Sequence, residues 1–166
     1  RHANVREGNL SYPARAVRTQ KYLYIRNLRP DRWPAGDPVL VHSVGPFGDI
    51  DGSPTKSLLV DRRDDPAIAP FFRLACARRP AEELYDLAAD PSELVNVAAD
   101  PRFATIKAGL RARLDRWMRE TGDPLANDPG LDPAREPFDD YPYVGPPEPA
   151  MRKAQNKAKA KAKPGS

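Results

Sequence analysis

The side chains best suited to chemistry in this 166-residue sequence are few and widely spaced. Cys76 is the lone thiol, and His2 and His42 are the two imidazoles. A thiolate nucleophile works beside a base that activates it, and no histidine lies near Cys76 in the chain. One cysteine excludes an internal disulfide framework and a cysteine-built zinc site. Two histidines exclude a histidine-rich metal centre, although carboxylates can still hold a hard cation. The densest charge is the run from Met151 to Ser166, in which Arg152, Lys153, Lys157, Lys159, Lys161 and Lys163 stand without an acid. Such a run can touch any polyanion, whether nucleic acid, acidic glycan or anionic surface.

The net charge of +4 belongs to that tail. Taking its six cations from the 27 basic residues leaves 21 against 23 acids, so the body carries about −2. Lysine alternating with alanine cannot bury apolar surface, which predicts a solvated tail in solution. The 20 prolines and 10 glycines put much of the backbone in loops, while 40% hydrophobic residues suffice for a core. No apolar run approaches the ~20 residues of a membrane helix. The chain opens on Arg1, with no methionine and no signal segment, as expected for a piece of a longer protein.

Elements follow from periodicity. Arg1–Asn9 is polar and irregular, a loop. In Ala14–Arg18 residues alternate, and after a break at Gln20–Lys21 comes Tyr22-Leu23-Tyr24-Ile25-Arg26, which predicts an antiparallel hairpin. Asn27 to Gly52 holds four prolines and four glycines and is a long surface excursion anchored by Trp33. Loops of this length are usually functional or docked. Ser53-Pro54-Thr55 starts a helix whose Leu58, Leu59 and Val60 are expected in the core. A second helix is expected from Asp65–Pro66, with an apolar face of Ile68, Phe71, Phe72, Ala75 and Cys76, up to Arg78-Arg79-Pro80. On that face Cys76 is a small buried hydrophobe. Glu83–Leu87 alternates as a third strand, and Leu94, Val95 and Val97 are expected to pin the following connection.

The strongest pattern starts at Asp100–Pro101. Phe103, Ile106, Leu110, Leu114, Trp117 and Met118 recur at three and four up to Gly122, which predicts a long helix with one apolar stripe. Its arginines fit a solvated face. Eight prolines then lie between Pro124 and Pro149, and Phe138–Val144 is expected to lie extended against the body to bury its aromatics. The fold class is α+β, a small antiparallel sheet packed by a long C-terminal helix and joined by proline-rich loops. Its divisions are a body over 1–124, a proline-rich extension over 125–150 and a basic tail over 151–166.

Ser11-Tyr12-Pro13-Ala14-Arg15 matches S-x-P-x-R, the core of the sulfatase signature whose serine or cysteine becomes formylglycine. It lacks the Leu-Thr-Gly continuation and precedes a strand rather than a helix, so the match is read as coincidence. The remaining chain nevertheless resembles the other end of such enzymes. Tyr12–Thr19 and Lys21–Asn27, then Asp31–Pro38 (DRWPAGDP), resemble the C-terminal subdomain of heparan N-sulfatase (sulfamidase)-like bacterial sulfatases. Glu83–Leu87, Asp90–Pro91, Glu93, Asn96 and Asp100-Pro101-Arg102-Phe103 resemble the segment that leads into the final helix of many sulfatases. The matches fall in order across about residues 1 to 124.

The resemblance implies an alkaline-phosphatase-like parent acting on sulfated sugars. Its formylglycine, calcium ligands and sulfate-binding side chains would lie in an N-terminal domain outside this sequence. No catalytic or metal residue is then expected here, and the fragment alone is expected to be inactive. His2 and Arg6, in the loop before the Tyr-Pro strand, are the candidate substrate-binding residues, because cationic donors pair with sulfate oxygens. The histidine lacks the acidic neighbour of the family pattern. Arg15 and Arg18 are expected in structural ion pairs. The implied partners are the missing domain, the sulfated saccharide, a polyanion on the tail and a second copy of the chain, without a membrane. A secreted or periplasmic location is implied for the parent. Two other readings are a noncatalytic module that binds polyanions through its tail, and a fragment that hydrolyses sulfate esters through Ser11.

Overall fold

A computed structural model describes residue 6 and residues 10–41 and 45–127. Strands β1 (Ala14–Arg18), β2 (Tyr22–Asn27) and β3 (Glu82–Asp86) form one antiparallel sheet in that order. Helix α1 spans Pro54–Asp61 and α2 spans Ala69–Cys76. A 3-10 turn at Pro101–Phe103 leads into α3 (Ala104–Glu120), and α4 (Pro124–Asn127) follows. Among the described residues no helix is long and apolar enough to cross a membrane. The extension from 128 to 150, the Phe138–Val144 segment and the basic tail lie outside the described residues, as do His2 and His42.

The expected hairpin forms because Thr19 closes its turn. Its hydroxyl accepts from the amides of Lys21 and Tyr22 and its own amide donates to the Tyr22 carbonyl. Register pairs Val17 with Tyr24 and Tyr24 with Leu84. Alternation therefore sends Tyr24 and Leu84 toward α3. There they meet Ala98, Leu110, Leu114 and Met118 in the main core, flanked by Val17, Tyr22, Val97, Phe103 and Ile106. The opposite register places Glu83 and Tyr85 on the other face, both buried. Glu83 satisfies its carboxylate by accepting from the Asn27 amide at 2.8 Å and the Tyr85 hydroxyl at 2.5 Å.

The excursion between β2 and β3 builds a second cluster. Phe47, fully buried, takes edge-on contacts from Trp33 at 5.7 Å and Phe72 at 5.5 Å, with Ala35 and Cys76 beside it. Its φ of 51° is left-handed, and the backbone there is held by hydrogen bonds from its amide to Asp37 O and from Ile50 to its carbonyl.

Four apolar expectations need correction. In α1 Leu58 is exposed and no residue is fully buried, so that of Leu58, Leu59 and Val60 only Val60 packs on a core cluster, while Ser53 caps the helix as expected. Helix α2 starts at Ala69 rather than at Asp65–Pro66. Asp65 is spent on a turn, accepting at its carboxylate from Ala67 and at its carbonyl from Ile68 and Ala69, and Pro70 takes the first-turn position. That start leaves Phe71 and Ala75 pointing outward, with Phe72 and Cys76 inward. Leu94 and Val95 are exposed, so Val97 alone of that trio packs on the core. On α3, Leu110, Leu114 and Met118 are buried as expected, but Trp117 is 51% exposed. Asp100 caps the entry by accepting from the Arg102 amide, and Gly122 ends the exit with a φ of 70°.

Candidate functional site

Of the two residues before the Tyr-Pro strand on which substrate binding was expected, His2 lies outside the described residues and Arg6 is turned inward. Arg6 is 2% exposed, donating from Nε to Trp33 O at 2.8 Å and from Nη2 to Pro34 O at 2.6 Å and Asp49 Oδ2 at 2.9 Å. Its guanidinium also lies 5.8 Å from the Tyr12 ring centroid. One side chain thus ties the outgoing limb of the 28–52 loop to its returning limb. Such multiple charge-assisted bonds are the strong class of hydrogen bond. Arg32 adds a bond from Nη1 to the Ser11 carbonyl at 2.6 Å, fixing the loop to the segment before β1.

Tyr12 Oη and Asp49 Oδ1 are buried without a hydrogen-bond partner among the described residues. Burial pushes the Tyr12 phenol up to about 12, aided by the charge of Glu83. Ser11 is 1% exposed, which leaves no surface for a substrate to approach its hydroxyl. Cys76 is likewise 1% exposed, and burial pushes its thiol up, so it is held as an unreactive hydrophobe. Among the described residues no group of three histidines, cysteines or carboxylates is placed to hold a metal ion.

The body's cations are mostly spent on partners. Arg15 pairs with Asp123 at 2.5 Å and Arg18 with Glu93 at 2.6 Å, the structural roles expected for both. Arg26 pairs with Asp115 at 2.7 Å. Glu82 accepts from the Tyr24 hydroxyl at 2.7 Å and faces Arg111 at 3.1 Å and Lys107 at 3.5 Å. Burial opposes its ionisation, but these donors outweigh it and hold the carboxyl below its usual range.

Arg113 and Arg116 differ, making no ion pair among the described residues. With Trp117 and Glu120 they line an open groove of about 400 Å³ on the outer side of α3. These four positions fall at i, i+3, i+4 and i+7, one continuous helical stripe. Sequence periodicity assigned Trp117 to the buried stripe, one position from Met118. The signal that separates them is this second stripe of arginines at the same spacing.

No family model matches the chain. Two ulvan-active sulfatases of Formosa agariphila are similar to it, one 33% identical over 116 residues and the other 30% identical over 115. The alignments cover 66% and 69% of this chain and 17% and 19% of those proteins. Human N-sulphoglucosamine sulphohydrolase is 52% identical over 42 residues, 25% of this chain and 8% of that one. The chain spans less than a fifth of the length of the curated relatives it matches.

Proposed function

We infer that this sulfatase-related chain is the C-terminal subdomain of an alkaline-phosphatase-like enzyme that hydrolyses sulfate esters or sulfamates of sulfated sugars. The observation that carries the reading is the similarity to sulfatases over two-thirds of the chain, extending to a sulphohydrolase of a sulfated amino sugar. Formylglycine and calcium belong in this reading to a preceding domain. Among the described residues no three metal-ligating side chains stand together, and no step of the reaction is assigned to them.

The chain's contribution is structural support for the substrate cleft. Arg6 acts as a positioning residue that fixes the 28–52 loop, and His2 is left as the candidate donor to a sulfate oxygen. Val39 and Leu40 of that loop and Phe71 and Leu74 of α2 are exposed, and we assign them to contacts with the catalytic domain. An enzyme of this kind acting on extracellular polymers fits a secreted or periplasmic location.

The test is sulfate release from 4-nitrophenyl sulfate and from sulfated oligosaccharides by the full-length protein, with mass-spectrometric location of formylglycine. The expected result is turnover, formylglycine upstream of residue 1, and undiminished turnover in Ser11→Ala. Absence of turnover and of formylglycine, or loss of both with Ser11→Ala, overturns the reading.

A further inference from the structure

Among the described residues the groove on α3 takes part in neither the main core nor an ion pair. Helix α3 commits Leu110, Leu114 and Met118 to the sheet, Lys107 and Arg111 to Glu82, and Asp115 to Arg26. Arg113, Arg116 and Trp117 are left, two guanidinium groups within one helical turn of an indole that is half in solvent. A large aromatic exposed beside cations that make no ion pair among the described residues is unusual on a surface whose other arginines are mostly paired.

We propose that Arg113, Arg116, Trp117 and Glu120 form a binding site for a sulfated polysaccharide. The inference rests on the sulfatase reading for its choice of polymer. Each element of the groove answers one part of such a ligand. The indole offers a flat apolar surface for the C–H face of a pyranose ring. The guanidinium groups offer paired N–H donors that match sulfate oxygens in charge and geometry. Glu120, at the end of the stripe, accepts hydrogen bonds from ring hydroxyls and disfavours a ligand with anionic groups at every position. A site of this kind keeps the enzyme on its polymer between cleavages, so that successive sulfates are met at high effective concentration.

The test uses the full-length protein with the six tail cations replaced by glutamine, so that the tail does not mask the groove. Its probes are soluble ulvan, the same polymer after desulfation, and inorganic polyphosphate. Losing two charge-assisted contacts in R113A/R116A is expected to weaken binding of sulfated ulvan by about tenfold. Trp117→Ala weakens it similarly, Trp117→Tyr restores most of it, and thermal midpoints do not move. Desulfated ulvan is expected to bind weakly to all of them. Unchanged affinity in Trp117→Ala overturns the proposal, as does polyphosphate binding as tightly as sulfated ulvan. Binding that appears only after deletion of residues 128–150 overturns it too, since the groove is then filled by the chain itself. Turnover of 4-nitrophenyl sulfate is expected to be the same in every variant. Its absence from the parent protein refutes the sulfatase reading while Trp117-dependent binding stands, and its presence with Trp117-independent binding refutes the groove alone.

Discussion

Arg15 on β1 and Asp123 after α3 stand 108 residues apart in sequence and 2.5 Å apart in space. The pair closes the sheet onto the far end of the helix, and the same carboxylate caps α4 by accepting from the Leu125 amide at 2.9 Å. Burial raises the Asp123 pKa, but Arg15, the Leu125 amide and the charge of Arg26 outweigh it and leave the carboxyl below its ordinary value. A depressed folded-state pKa contributes stability that is present above the unfolded value of about 3.9 and lost as pH falls through the folded one. Urea midpoints are therefore expected to fall as pH drops below about 4. Asp123→Asn flattens that fall, and at pH 7 it costs about 2 kcal/mol.

The main core predicts a contrast within one helix. Leu114 is 1% exposed against Tyr24 and Leu84, so Leu114→Ala leaves a cavity and is expected to cost about 2–5 kcal/mol. Trp117→Ala, three residues on, removes a larger side chain that faces solvent and stays within about 0.5 kcal/mol. Denaturant unfolding of both variants checks this, and equal costs would show that Trp117 is buried in solution.

Removing Arg6 strips the Asp49 carboxylate and two carbonyls of their donor at once. Arg6→Ala is expected to cost about 3 kcal/mol, within the range for breaking a buried pair from one side. Arg6→Lys recovers little, because one ammonium cannot reach Trp33 O, Pro34 O and Asp49 with the geometry of the guanidinium fork. The loss is local. Hydrogen exchange at residues 29–50 is expected to accelerate in Arg6→Ala while β2 and β3 keep their protection.

The contrast between Arg6 and Arg15 also shows where sequence reasoning reaches. The hairpin, the third strand and α3 were legible because alternation and the three-four spacing depend only on local geometry. The pairing expected of Arg15 and Arg18 is met by Asp123 and Glu93. Arg6 was not legible, since two of its acceptors are main-chain carbonyls 27 and 28 residues away that leave no mark on composition. Periodicity also says which residues share a face, not whether anything covers it. Phe71 and Leu94 are apolar and well spaced, yet both are exposed. Trp117 belonged to a second stripe that overlaps the first, and hydrophobicity alone merges the two.

Three tyrosines should make the protein sensitive to alkali. Burial is the leading cause in each, pushing Tyr12 and Tyr24 up to about 12 and Tyr85 further still. Hydrogen bonds from Tyr24 to Glu82 at 2.7 Å and from Tyr85 to Glu83 at 2.5 Å add to it, because the phenol must keep its proton to donate. An acid whose folded pKa is raised is favoured in its protonated form. Its contribution is complete below the unfolded value of about 10 and disappears as pH rises through the folded one. Stability is therefore expected to decline between about pH 10 and pH 12. An absorbance titration of phenolate at 295 nm should show the late tyrosines ionising together with loss of the fold. Tyr85→Phe removes the most strongly shifted of them and should move the alkaline unfolding midpoint upward. At pH 7 it leaves Glu83 with the Asn27 amide as donor, at a cost of about 1 kcal/mol. If Tyr85→Phe leaves the alkaline midpoint unchanged, the buried phenol is not what limits stability there.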